Sequence, residues 1–371
     1  MGPPPSDDQR LRLADDGRLI GGKPSVAFLS FRFGETDGVS VEARKWARIL
    51  RRLGFDTYTV AADGADRPVE GLAMDAAEPP AAEALDAALA DADLVVVENL
   101  CSLPLNPAAA DGVAAALRGR AAILRHHDLA WQRPHLAHLD GYPPDDPAWR
   151  HVTINDLSRR QLAERGITAT TISNGFDVDP PPGHRDATRA ALGLDPADLL
   201  LVHPTRAIPR KNVPGALALA EGLGATYWLL GPPEDGYGAE LDRLLAGARV
   251  PVVDRSPNEV TLADAYAAAD AVALPSTWEG FGNATIESAV HRRPLAIGRY
   301  PVAREIAAFG FRWFPADDPR PLADWLSRPV PSLLDTNAAI ARRHFSLDGV
   351  ERRLARLLAD AGWMARERVA E

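Results

Sequence analysis

Short apolar runs alternate along the chain with longer stretches whose apolar residues recur every three or four positions. Val26 to Ser30 (VAFLS), Phe55 to Val60, Leu94 to Val97 (LVVV) and Ala121 to Leu124 have the length and apolar character of buried parallel strands. Between them, Val41 to Leu53 and Ala108 to Leu117 read as helices, and residues 61–92 as Ala-rich and helical in part. HVTIN, a helix at Ser158 to Arg165, and TATTIS continue the series. Strand and helix in this alternation predict a parallel sheet covered on both faces.

The pattern stops at NGFDVDPPPG, Asn174 to Gly183, a turn- and proline-rich segment suited to joining domains. A second alternating series then follows. It comprises Leu199 to His203, Val213 to Leu223, Thr226 to Leu230, Ala239 to Leu245, Val250 to Val253, Thr261 to Ala269, Ala271 to Leu274, Thr285 to Val290 and Pro294 to Ile297. Ser346 to Trp363 reads as an amphipathic helix with Val350, Leu354, Leu357 and Leu358 on its apolar side. The fold class expected is α/β: two Rossmann-like, doubly wound domains facing a central cleft, since ligands of such sheets bind beyond the carboxyl ends of the strands. The boundaries read as a loose segment at 1–23, a first domain at 24–176, a second at 177–345 and a final helix at 346–371 that packs back toward the first domain.

Composition narrows the function without choosing it. At 371 residues the chain suits two domains, each large enough for its own core. A formal net charge of -10 argues against a nucleic-acid partner held through a basic surface. A single cysteine, Cys101, allows neither an internal disulfide nor a multi-thiolate metal site. The first residues, MGPPPSDDQR, lack the charged and apolar regions of a secretory signal, and no run reaches about 18 apolar residues. A soluble, cytoplasmic protein is the expectation. The helix from Val41 carries Arg44, Lys45, Arg48, Arg51 and Arg52 opposite Ala43, Trp46, Ala47, Leu50 and Leu53. Such a face could rest on an anionic membrane, but core packing with a solvated basic side is the favoured reading.

The segment Pro275 to Ile297, PSTWEGFGNATIESAVHRRPLAI, carries the strongest chemical signal. Glu279 and Glu287 have seven residues between them, the turn Gly280-Phe281-Gly282 among these, with a helix expected to begin near Asn283 or Ala284. The unpaired N–H groups at such a start suit a phosphate or sugar oxygen. Glu279 could accept from sugar hydroxyls, and Glu287 could take the paired hydroxyls of a ribose. Two surface glutamates on an ordinary connection are the plainer alternative. The triplets Asp91-Ala92-Asp93 and Asp177-Val178-Asp179 would suit a divalent cation elsewhere, but here they fall at a helix end and in the linker and are not read as metal sites. Gly34 and Gly38 follow the first strand, where backbone approaches a ligand closely.

The glutamate segment resembles the E-x7-E signature of glycosyltransferase family 4, a retaining family with the GT-B fold. Further segments resemble that family in order along the chain: LVHPTRAIPRKN, TTISNGFDVD, and Tyr266 to Asp270 with AVALPS. The family's usual glycine before the proline is replaced within His291-Arg292-Arg293-Pro294.

The resemblance implies that a hexose leaves a UDP- or GDP-sugar bound to the second domain. Arg206 and Lys211 would hold the diphosphate, a task that cations and a helix dipole can perform in place of a metal. Glu287 would bind the ribose, while Glu279 with the backbone of Phe281, Gly282 and Asn283 would orient the sugar. Gly38 would lie in a loop over the phosphates. His127, rather than its neighbour His126, would stand beside donor sugar and acceptor. Glu98, Asn99, Asp128, Trp131 and Arg133 would line the acceptor side. No cofactor or metal is expected, and the acceptor would be a small polar molecule or a glycan. A GT-B epimerase, phosphorylase or sugar synthase, or an inactive nucleotide-sugar-binding protein, would share the same residues.

Overall fold

The computed structural model describes residues 23–34, 38–253 and 260–365. The chain forms two compact units, one of residues up to Gly175 together with those from Leu347 onward, the other Phe176–Ser346.

The first unit is built on seven strands: β1 (Ser25–Leu29), β2 (Asp56–Ala61), β3 (Arg67–Pro68), β4 (Leu94–Glu98), β5 (Ala122–His126), β6 (Trp149–Thr153) and β7 (Ala169–Thr171). They pair in parallel in the order β3-β2-β1-β4-β5-β6-β7. The order reverses between β1 and β4, which opens a crevice beyond their carboxyl ends. All five residues of β4 are buried, as a central parallel strand of Leu and Val requires.

Four helices of this unit, α1 (Gly38–Arg52), α2 (Ala82–Leu89), α3 (Pro107–Leu117) and α4 (Asp156–Ala163), connect the strands. On one face of the sheet, Trp46, Ile49 and Leu50 of α1 pack with Val26, Phe28 and Val96. The expected apolar side of α1 is therefore core, and Arg44, Arg48, Arg51 and Arg52 are exposed. The other face is covered by Leu85 and Leu89 of α2 and Ala110, Val113 and Leu117 of α3.

The second unit has a five-stranded parallel sheet of β8 (Leu200–His203), β9 (Thr226–Leu229), β10 (Ala271–Leu274), β11 (Leu295–Ile297) and β12 (Phe314–Pro315). Its order is β12-β11-β10-β8-β9, so β8 and β10 flank the reversal. Pairing of Ala271 with Leu201 and Val272 with Val202 sets their ends side by side. Its helices are α5 (Arg185–Ala191), α6 (Val213–Leu223), α7 (Gly238–Ala246), α8 (Leu262–Ala268), α9 (Ala284–Val290), α10 (Pro301–Ala307), α11 (Arg320–Ser327) and α12 (Pro331–Phe345).

The strand expected at Val250 to Val253 reduces to an isolated bridge between Tyr227 and Val252. Pro251 has no N–H to extend a ladder. The glycine missing after α9 is also explained: Arg292 itself adopts φ 55°, the left-handed turn that glycine takes without strain. Its neighbour Arg293 secures that turn by donating to Tyr266 O at 2.6 Å and Ala267 O at 2.9 Å.

The final helix, α13 (Leu347–Asp360), returns to the first unit. Val350, Leu354, Leu357 and Leu358 are buried with Trp46, Ile49, Leu50 and Phe55. At about 1.5–3 kcal/mol for each fully buried side chain, this is enough to anchor an amphipathic helix.

Candidate active site

In the second unit, the loops after β8 and β10 meet because their strands are neighbours. Residues 209–211 form a single tight turn whose two cations reach across to the second loop. Lys211 Nζ donates to Glu279 Oε1 at 2.5 Å, and Arg210 Nη1 donates to Glu279 Oε2 at 2.8 Å. Arg210 also donates to Trp278 O at 3.0 Å, while Thr277 N donates to Arg210 O at 2.9 Å. Asn212 adds a third tie: its side-chain oxygen caps α6 at Gly215 N, and its amide reaches Pro275 O at 3.2 Å.

Glu279 is buried. Burial alone would raise its carboxyl, but Lys211 and Arg210 outweigh that and hold it below the ordinary carboxylate value. Burial also pulls the Lys211 ammonium down from the usual lysine value, with Glu279 opposing. The result is an anion seated between two cations, next to a third. Arg206 was expected beside Lys211 on a diphosphate; here its guanidinium pairs with Glu234. Arg210, which sequence reasoning passed over, takes the nearer place. Its signal was simply a second basic residue beside Lys211, and only the strand order shows which of the two arginines faces Glu279.

Gly282 sits at φ +85°, and a Cβ there would come within 2.4 Å of the Tyr300 hydroxyl. The turn therefore needs glycine on two counts. Phe281 is buried and stacks near Phe176 with ring centroids 6.1 Å apart. Asn283 immediately precedes α9. On α9, Glu287 accepts from the Tyr266 hydroxyl at 2.9 Å. Burial, with the Glu287 charge, raises that phenol well above its usual value, so it stays a proton donor.

In the first unit, the ends of β4 and β5 bring most of the expected acceptor-side residues together. Asn99, at φ 63°, uses one side-chain oxygen to accept from both His127 N and Asp128 N at 3.0 Å. Arg133 pairs with Asp128 at 2.9 Å. Trp131 donates to Gln161 at 3.0 Å, and Arg165 lies 3.7 Å from its ring centre. Glu98 does not line a surface as expected: it is wholly buried. It faces Arg125 across the β4–β5 pair and binds that guanidinium and His127. A carboxylate at a strand's last inward position is held by the sheet, not offered to solvent. His126 is also buried, bonded to His151 at 2.9 Å, so it is packed in the wall.

Gly38 is the exposed first residue of α1, with nothing within 4 Å of where a Cβ would be. Sterics give no reason for glycine there, and residues 35–37 of its loop lie outside the described residues. The aspartates of both triplets have protein partners: Asp91 pairs with Arg67, Asp93 accepts from Ser25 N, and Asp179 pairs with Arg342. Among the described residues, no three His, Cys, Asp or Glu side chains gather as a metal site, and no helix is long and apolar enough to cross a membrane.

Two parallel Rossmann-like sheets, the second with an anion-and-cation cluster at its strand-order reversal, give the chain the GT-B fold of solved glycosyltransferases. Residues 211–328 match the family described as Glycosyl transferases group 1, in line with the resemblance read from the glutamate motif. The chain is similar to the mannosylglucosylglycerate synthase of Thermotoga maritima, with 26% identity over 89% of this chain and 99% of that protein. It is also similar to a D-inositol 3-phosphate glycosyltransferase of Mycobacterium sp. strain KMS, with 32% identity over 53% of this chain and 47% of that one. Among solved structures, Anabaena HepE in complex with UDP-glucose superimposes with a TM-score of 0.70 at 18% identity, covering 91% of this chain and 99% of HepE. Sucrose-phosphate synthase from Thermosynechococcus elongatus gives the same TM-score at 16% identity, covering 91% and 99%.

Proposed function

We propose that this enzyme transfers a hexose from a nucleoside diphosphate sugar to a hydroxyl of a small polar acceptor, with retention at the anomeric carbon and without a metal or other cofactor. The observation that carries the reading is the Lys211–Glu279–Arg210 cluster at the ends of β8 and β10. Two buried or half-buried cations there share a single carboxylate, which leaves one positive charge in excess. A diphosphate is the natural competitor for those cations, and its arrival frees Glu279 to accept from sugar hydroxyls. As the glycosidic bond breaks, negative charge grows on the leaving phosphate, and Lys211 and Arg210 stabilise it where a metal would otherwise be needed. Glu287, with its position fixed by Tyr266, takes the ribose hydroxyls.

No carboxylate outside this cluster is assigned as a nucleophile or base. The departing phosphate oxygen takes the acceptor's proton on the same face, which gives retention. The names of the relatives support a small polar acceptor: one makes a glucosylglycerate derivative, and the other acts on an inositol phosphate. The UDP-glucose held by Anabaena HepE supports a nucleoside diphosphate hexose as donor.

The test is a thermal-shift screen of UDP- and GDP-sugars, followed by proton NMR of the product formed with glycerate, glucosylglycerate and inositol phosphate acceptors. The expected product keeps the donor's anomeric configuration. Lys211→Met should lower kcat by 10²-fold or more, roughly the effect of removing one donor aimed at developing charge. An inverted product, or a Lys211→Met enzyme of unchanged turnover, would refute the proposal.

A further inference from the structure

A line of buried charge runs beneath the end of β5. Glu98 Oε1 accepts from Arg125 Nη1 at 3.2 Å, and Glu98 Oε2 lies 2.7 Å from His127 Nε2. Neither Glu98 nor Arg125 has any exposed surface. Arg125 is clamped from two further sides: its Nη2 donates to Glu42 at 3.2 Å, and its guanidinium lies 4.2 Å from the Trp46 ring centre. Lys45 pairs with Glu42 at 2.5 Å.

Burial would raise the Glu98 carboxyl, but Arg125 and the His127 hydrogen bond outweigh it and keep it ionised below the ordinary value. An ionised carboxylate has no hydrogen to give, so the hydrogen between Glu98 and His127 belongs to His127 Nε2. In the neutral imidazole the other nitrogen, Nδ1, then carries a lone pair. Among the described residues Nδ1 has no hydrogen-bond partner, while Asn99 fixes the backbone on which the ring stands.

We propose that Glu98 is a positioning residue, which holds His127 in its Nε2–H form so that Nδ1 accepts a hydrogen bond from a substrate hydroxyl. His127 then selects a group that can donate, a sugar or acceptor O–H, over a carboxylate or phosphate oxygen, which cannot. This deepens the proposed function and rests on the further reading, implied by the resemblance, that His127 stands beside donor sugar and acceptor. The arrangement extends the logic of a carboxylate orienting an imidazole to a site where the ring acts as acceptor.

Two measurements separate this inference from the reading beneath it. The first needs no substrate: nitrogen-15 NMR of the nine histidines in the intact protein, with His127 assigned from the signal lost in His127→Ala. At pH 8 the wild-type ring should show a protonated Nε2 and a bare Nδ1, and Glu98→Gln should mix the two forms or invert them. A wild-type ring protonated at Nδ1 overturns the proposal whatever His127 does in turnover. The second is kinetic. Glu98→Gln, checked for wild-type circular dichroism, should lower kcat at least tenfold while donor KM moves less than twofold. The Glu98→Gln/His127→Ala double variant should be no slower than His127→Ala alone. Full kcat in Glu98→Gln with an altered tautomer also overturns it. Full activity of His127→Ala would instead remove the placing of His127 against substrate, leaving the tautomer result to stand or fall on its own.

Discussion

Replacing Glu279 with glutamine tests the central cluster in a way that separates charge from shape. The side chains are nearly isosteric, so the loop from Ser276 to Asn283 keeps its packing. What changes is the balance around Lys211, which is buried and bonded to Glu279 at 2.5 Å, and Arg210, bonded at 2.8 Å. Breaking a buried pair by removing one partner costs roughly 3–5 kcal/mol, because the other charge is left uncompensated. For a unit of this size each kcal/mol moves the melting temperature by about 2–4 °C, so the lower bound predicts a fall of roughly 6–12 °C for the second unit. Loss of Glu279 also removes the charge that helps keep the proton on Lys211. The folded-state value then falls further below that of the unfolded chain. A group of this kind destabilises at pH below its unfolded value and does so less as the pH rises toward it, so the deficit should shrink between pH 7 and pH 9.5.

The same substitution should make the protein more dependent on an anion. With the carboxylate gone, a diphosphate meets two unneutralised cations rather than displacing an internal partner from them. Saturating UDP or GDP, chosen because neither carries the sugar that Glu279 is proposed to hold, should raise the melting temperature more in Glu279→Gln than in wild type. Differential scanning calorimetry with and without nucleotide measures both effects. A variant that melts within about 2 °C of wild type, or that gains no more from nucleotide, would show that the cluster is neither strained by its buried charge nor the diphosphate seat.

Acid should unfold the protein early. His203 is fully buried and satisfied as a neutral ring by Tyr227 and Thr205, and burial with Lys211 nearby lowers it to about 3. Its contribution is present above the unfolded value of about 6.5 and is lost as pH falls toward the folded one, about 2 kcal/mol by pH 5 for this residue alone. His126 and His151 are lowered too, chiefly by burial, and add in the same direction. Urea unfolding at pH 7.5 and pH 5 should register the loss, and equal stabilities would contradict it. A chelator at millimolar concentration should leave turnover unchanged, since Lys211 and Arg210 carry the charge of the leaving group; activity that vanishes with chelator and returns with a divalent cation would count against that assignment.

The architecture was legible because parallel strands buried on both faces leave continuous apolar runs such as LVVV, and few other structures give the same alternation. The glutamate motif was legible for a related reason: a glycine turn between a strand and a helix needs particular residues, as Gly282 against Tyr300 demonstrates. What sequence could not supply was neighbourhood. Lys211 and Glu279 are 68 positions apart, and they meet only because β8 pairs with β10 on one side as well as with β9, its successor in the chain, on the other. Which arginine reaches Glu279 turns on that adjacency: it is Arg210, while Arg206, which the resemblance implied for the diphosphate, pairs with Glu234.

Glu98 shows the same limit from the opposite side. It follows an apolar strand, where an exposed ligand-binding carboxylate and a buried ionic partner look alike in sequence. The deciding fact is that Arg125 stands opposite it in the next strand. A buried arginine requires a carboxylate, and once that requirement is met at Glu98 the carboxylate's second oxygen has one remaining direction, toward His127. The charge that a core strand could least tolerate alone thereby fixes the orientation of the imidazole at its end.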